Sequence, residues 1–186
     1  MFKIIIKFLT FSLIVSSYFS HAFSNEQLIK SLKEGEKIIF IRHALAPGSG
    51  DPSNFKLYDC GTQRNLNVEG IQQSQKIGLF FSKNKIPIDK VLSSEWCRCK
   101  DTAKFAFNNY QTFDALNSFF SERFQKNKAK QMNELQNFLK KLKIKKNLVL
   151  ITHYVVILEA LDKAVSSGEI VVTDKNLNLI GSISKY

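Results

Sequence analysis

In a chain of 186 residues, 27 Lys and Arg face 16 Asp and Glu, a formal charge of +11 at pH 7. That surplus favours anionic partners in general, phosphate esters, lipopolysaccharide and acidic membrane surfaces among them. No zinc-ligand spacing, Lys-bearing Gly-rich phosphate loop or nucleic-acid module accompanies it, so neither a metal nor nucleic acid is an expected partner.

The first residues read as a targeting segment. Lys3 and Lys7 precede the apolar run Phe8 to Val15, and Ser20-His21-Ala22 puts small residues where a signal peptidase reads. The expectation is a cleaved secretory signal over residues 1–22, a periplasmic or secreted protein, and one domain over residues 23–186. The apolar run is shorter than the roughly 20 residues a bilayer demands, so no permanent membrane span is expected.

Asn25 to Lys33 has the spacing of a short amphipathic helix, ended by Gly35. Lys37 to Ile41 follows with Ile38, Ile39, Phe40 and Ile41 in an unbroken apolar run, which suits a central strand buried on both faces. The run empties into Arg42-His43, on the carboxyl rim where open α/β sheets bind ligands. Taken alone, the pair also fits a capping Arg beside a structural His. Ala44 to Arg64, rich in Pro, Gly, Ser and Asp, is a loop long enough to be functional or disordered. Asn67 is a good N-cap, with Glu69 in the first turn, for a helix through Ile71, Ile77, Phe80 and Phe81. Pro87 precedes a short strand Lys90 to Leu92, closed by Ser93-Ser94, and a helix from Glu95 to Phe107 carries Arg98 in its opening turn.

Asp114 to Phe124 reads as a short strand giving way to an aromatic loop that holds Glu122 and Arg123. Met132, Leu135, Leu139 and Leu142 recur at helical spacing. Eight lysines between Lys126 and Lys146 fill the other face, as a solvated surface or a polyanion patch. Asn147 to Thr152 repeats the buried-strand pattern and ends at His153, and Val155 to Val165 is apolar enough for a packed helix. Gly168 to Thr173 and Leu177 to Ser184 flank the turn Asp174-Lys175-Asn176. This βαβα order predicts an α/β fold, a mostly parallel sheet covered by helices with an antiparallel finish.

Three predicted strands thus deliver His43, Arg98 and His153 to one rim. With Arg42 beside them, the cluster suits a tetrahedral oxyanion, because guanidinium forks match phosphate oxygens bidentately. At this point the residues resemble the histidine phosphatases, also called the phosphoglycerate mutase-like superfamily, over nearly all of residues 23–186. Arg42-His43-Ala44 is similar to the Arg-His-Gly signature, and Leu66-Asn67-Val68-Glu69-Gly70 to the Leu-(Thr/Ser)-x-x-Gly segment. Ser93-Ser94 with Arg98 and Thr102-Ala103 resembles the second-arginine motif, and Thr152-His153 the second histidine. The Arg-His-Ala-x-Ala-Pro-Gly opening and the run from Asp59-Cys60 through Thr62, Gln63 and Arg64 look like those of short secreted or periplasmic members.

The resemblance implies a three-layer α/β/α sandwich and a phosphohistidine formed at His43, which attacks as a neutral imidazole. Arg42, Arg98 and His153 would surround the transferring group, and Arg64 would bind substrate. No metal or other cofactor is implied, because fixed cations neutralise the charge. Members normally place a Glu or Asp after the second arginine as general acid, and the expected Leu-x-Glu is here Leu116-Asn117-Ser118. Glu122 is then the candidate acid, with Asp114 nearby, unless both are surface charges. Ala44 stands in place of the signature Gly, and Ser49 where mutases usually have Asn.

The expected function is a phosphatase reaction on a phosphorylated small molecule, an envelope sugar phosphate or a phosphoprotein. The alternatives are mutase-type phosphotransfer and a non-catalytic phosphate- or polyanion-binding module. Three cysteines allow at most one internal bridge, Cys60 with Cys97 or Cys99, which would pin the long loop over the site; three unpaired thiols are the other reading.

Overall fold

An apolar run without polar alternation is satisfied only by cover on both faces, and the sheet is built on two such runs. In the computed structural model, which describes residues 25–186, β1 (Ile38–Arg42) and β4 (Asn147–Thr152) lie side by side in parallel. Ile39 stands beside Val149 and Arg42 beside Thr152. β2 (Ile88–Ser93) and β3 (Gln111–Thr112) extend the sheet in parallel beyond β4. β5 (Ile170–Thr173) and β6 (Leu179–Ile183) close the other side as an antiparallel hairpin, giving the order β3-β2-β4-β1-β5-β6.

Successive side chains of the central strands enter opposite layers, as the period of two requires. Ile39, Ile41, Val149 and Ile151 pack with Leu28 and Leu32 of α1 (Asn25–Glu34), Ile77 and Phe81 of α2 (Val68–Lys83) and Ala103 of α3 (Cys97–Phe107). Ile38, Phe40, Leu148 and Leu150 pack with Met132, Leu135 and Leu139 of α5 (Lys128–Lys141) and with Val156 and Ile157 of α6 (Tyr154–Leu161). Burying each such Leu, Ile, Val, Phe or Met side chain contributes about 1.5–3 kcal/mol. The architecture is therefore the expected three-layer α/β/α sandwich on a mostly parallel sheet.

Several boundaries differ from expectation. The helix expected to reach Val165 stops at Leu161, where Asp162 adopts a left-handed conformation with φ 49°. Residues 162–169 become a loop instead, and that loop touches the site. The short strand expected after Asp114 lies ahead of it, at Gln111–Thr112; Asp114–Leu116 is a 3-10 turn, and only the single-turn α4 (Glu122–Gln125) follows. α2 begins as expected, with Asn67 Oδ1 accepting the Gly70 N–H at 2.9 Å. A Cβ at Gly70 would fall 2.0 Å from the Leu45 carbonyl oxygen, so only glycine lets α2 pack this closely on the long loop.

The lysines of α5 are exposed, and Lys128 and Lys130 pair with Glu159 and Glu134 on the surface. Among the described residues no helix is long and apolar enough to cross a membrane. The expected signal segment lies outside the described residues.

Candidate active site

The carboxyl ends of β1, β2 and β4 open into one cavity of about 160 Å³, lined among others by Arg42, His43, Asp51, Arg64, Arg98 and His153. Backbone bonds fix the rim before any side chain acts. The His43 N–H donates to the Thr152 carbonyl at 2.9 Å, continuing the β1–β4 pairing by one residue. The Gly168 N–H returns to the Arg42 and His43 carbonyls, and the Ala44 N–H donates to Thr102 Oγ1, whose hydroxyl donates to the Arg98 carbonyl. Thr102 thereby couples the end of β1 to the first turn of α3.

His43 is 3% exposed, with its Nδ1 2.8 Å from the Ala44 carbonyl oxygen. A carbonyl only accepts, so Nδ1 carries the proton and Nε2 keeps its lone pair. Burial, and next the Arg98 guanidinium, hold the His43 pKa well below 6.5, which keeps the imidazole neutral at pH 7. His153 is equally buried, its ring centroid 5.5 Å from that of His43, and burial and Arg98 likewise depress its pKa.

A chain of acceptors fixes the His153 tautomer. The Glu95 carboxylate accepts from Asn117 Nδ2 at 2.7 Å, so Asn117 Oδ1 must face Ser94, and it accepts the Ser94 hydroxyl at 3.0 Å. Ser94 Oγ can then only accept from His153 Nε2, 2.9 Å away. Nε2 carries the proton and Nδ1 is left with the lone pair. Asn117 and Glu95 were not foreseen in this role; a Leu-x-Glu segment lacking its carboxylate gave the only hint that Asn117 does other work.

The cations are held as deliberately as the histidines. Arg42 Nη1 donates to the Val165 carbonyl at 2.8 Å, and its guanidinium lies 5.5 Å over the Tyr154 ring. Arg98 is 3% exposed and bidentate on Asp51, at 2.7 and 3.2 Å. The Nε atoms of Arg42 and Arg98 are buried without a partner. Arg64 lines the cavity, while its Nε and Nη1 hold the Gly50 and Ala46 carbonyls.

The long loop is tied to α3 by a Cys60–Cys97 disulfide, and Cys99 stays a thiol. Burial pushes the Cys99 thiol up to about 12, so it is a protonated neighbour of His153 and no thiolate nucleophile. Gln63 adds a second tie, its Oε1 accepting the Cys97 N–H while Nε2 donates to Lys56 and Leu57 carbonyls.

Glu122 is the expected residue that the structure does not bring to the cavity. Ser121 and Phe124, three apart on one side of the α4 turn, line the cavity, and Glu122 falls off that side and is exposed. Ser118, at the position of the resemblance's missing Glu, lines the cavity instead. Asp51 is the carboxylate actually present, and sequence reading missed it.

No protein-family model and no curated protein matches this sequence. Solved structures do match it. The protein histidine phosphatase SixA, complexed with tungstate, is 14% identical, with a TM-score of 0.56 over 80% of this chain and 96% of that one. Phosphoserine phosphatase from Entamoeba histolytica, in complex with 3-phosphoglyceric acid, is 15% identical, with a TM-score of 0.58 over 80% and 97%. TTHB049 from Thermus thermophilus is 17% identical, with a TM-score of 0.55 over 81% and 99%. The likeness covers about four fifths of this chain and nearly the whole of each compared chain, and the chain thus has the fold of the histidine phosphatases.

Proposed function

We propose that the protein is a phosphatase that hydrolyses a phosphate monoester or phosphoryl group through a phosphohistidine at His43. The observation that carries this reading is the His43 tautomer: Nδ1–H is bound to the Ala44 carbonyl, so a neutral Nε2 lone pair sits in a cavity with three guanidinium groups. Nε2 attacks phosphorus while the bond from phosphorus to the leaving oxygen breaks, and that oxygen departs with the bonding electron pair and takes its proton from solvent water. Water then attacks the phosphohistidine, the N–P bond breaks, inorganic phosphate leaves and His43 returns neutral. Arg42, Arg98 and Arg64 supply the positive charge that the equatorial oxygens need in both transition states.

A protein histidine phosphatase and a phosphoserine phosphatase among the structures of the same fold support phosphate as the transferred group. The substrate we favour is a phosphorylated small molecule, sugar phosphate or phosphoprotein whose leaving group needs little acid help. A periplasmic or secreted location belongs to the same reading, and the Cys60–Cys97 bridge supports it.

Nitrophenyl phosphate, with its good leaving group, is the test substrate. The wild-type protein should turn it over in the presence of chelator and yield an acid-labile phosphoprotein on rapid quenching. His43→Ala should abolish both signals. A wild-type protein that binds phosphate without turnover would return the reading to a binding module.

A further inference from the structure

Asp51 is an anion inside a cavity otherwise built for anions, and every lone pair it offers is engaged. Its Oδ1 accepts from Arg98 Nη1 at 2.7 Å and from the Arg64 N–H at 3.1 Å. Its Oδ2 accepts from Arg98 Nη2 at 3.2 Å and from the Trp96 indole N–H at 3.0 Å. The side chain is 10% exposed. Burial pushes its carboxyl up, but the hydrogen bonds and charge of Arg98 more than offset this and leave the pKa below 3.8. Asp51 is therefore ionised at pH 7 and has no proton to give a leaving group.

Such a residue opposes ligand binding by simple electrostatics, since it sits among the groups that would attract an oxyanion. Two consequences of its geometry explain what it does instead. It grips Arg98 end-on through both Nη atoms, so the guanidinium cannot rotate to follow a ligand and its remaining hydrogens keep a fixed direction. It also offsets one of the three arginine charges. With both histidines neutral, the cavity's formal charge becomes +2, the complement of a phosphate monoester dianion.

We infer that Asp51 is a positioning and charge-matching residue, which locks Arg98 for the transferring phosphoryl group and sets the cavity to take, and then release, a dianion. This rests on the phosphatase reading above. Asp51 acts through Arg98 and through the field, without touching the reacting atoms.

The test is Asp51→Asn in the full chain, with nitrophenyl phosphate turnover and with tungstate and inorganic phosphate as competing anions. The amide keeps the size of the side chain but removes the charge and one acceptor from the Arg98 grip. Turnover should fall about a hundredfold, the effect of misdirecting a catalytic group by an ångström or so. Tungstate and phosphate should bind tighter, by about three- to tenfold, because a charge of like sign has left the cavity. Opposite movement of kcat and anion affinity is what a merely structural role cannot produce.

Loss of turnover together with weaker anion binding, or a variant with wild-type kcat, overturns the proposal. A wild-type protein that neither turns over nitrophenyl phosphate nor binds tungstate overturns the phosphatase reading itself, and this inference with it. If Asp51→Asn does not fold, the guanidinium resonances of the wild-type protein decide. Arg98 Nη protons should stay resolved and slow to exchange before and after tungstate is added, and their release by tungstate would show that the grip opens.

Discussion

The cavity has two walls made in different ways. One is the strand rim, where Arg42, His43 and His153 stand at the ends of β1 and β4, two buried neighbours at the centre of the sheet. The other is the loop from Ala44 to Asn67, which delivers Asp51 and Arg64 from a segment with little regular structure, held by one disulfide, one buried ion pair and a few side-chain hydrogen bonds. The rim is positioned by many small packing terms that fail together, the loop by a few strong ties that fail one at a time. His43, the proposed nucleophile, belongs to the first kind, and Asp51, proposed to set the cavity's charge, to the second.

Cutting the strongest tie should separate the walls most clearly. Reducing the Cys60–Cys97 bridge opens a loop closure of 37 residues and is expected to cost about 2–4 kcal/mol of stability. Hydrogen exchange followed by mass spectrometry checks where the loss falls. Amides between Ala46 and Arg64 should exchange faster after reduction, while those of β1 and β4 keep their protection. If β1 and β4 lose protection equally, the two walls are one cooperative unit and the distinction between them fails.

The same division decides what was legible in the sequence. β1 and β4 announced themselves because burial on both faces leaves an unbroken apolar run, and the residue after such a run stands on the ligand rim wherever the rest of the chain goes. Arg98 was legible for a related reason, lying in the first turn of a helix that follows a strand. Asp51 was not, because its meaning comes from Arg98, 47 positions away, and a Gly- and Pro-rich loop has no period from which to compute direction. Glu122 was misplaced for want of the same information: a single turn of helix decides whether a side chain faces the cavity or solvent, and α4 is too short to show a pattern. Asn117 stood at the unspecified middle position of a segment whose missing acid is Ser118, and its part in fixing the His153 tautomer needs Glu95 and Ser94 in three dimensions.

Acid should act on the two walls at different pH. Both rim histidines have folded pKa values below the 6.5 of the unfolded chain. Above pH 6.5 neither state binds the proton and stability is full; as pH falls below it, the unfolded chain takes protons that the buried rings refuse. Each histidine then removes about 1.4 kcal/mol per pH unit until its folded pKa is reached. Asp51 works in a lower window, since its folded pKa lies below 3.8 and its contribution is lost only as pH falls past that value. Denaturant unfolding at pH 7.5 and 5.5 should show the histidine loss alone, and His153→Gln should flatten the slope. An equal slope in that variant would mean that the rim does not set the pH dependence.

The weakest tie gives the finest test, because it sits where the loop ends and the packed core resumes. Asn67 caps α2 through the Gly70 N–H, and Asn67→Ala should cost about 1 kcal/mol, lowering Tm by about 2–4 °C. Nitrophenyl phosphate turnover should not change. The reason is that the loop does not depend on this cap for its course: Gly70 still packs against the Leu45 carbonyl, the Leu45 N–H still donates to Gln73 Oε1 at 2.9 Å, and Gln73 Nε2 still holds the Ser167 carbonyl beside the residues that bind Arg42. Upstream, Asp51 and Cys60 remain fixed to α3. A capping loss therefore frays the first turn of α2 without moving a charge in the cavity. A fall in kcat well beyond twofold would show that helix order at α2 reaches Arg42 through Gln73, making the rim itself dependent on the loop's last residue.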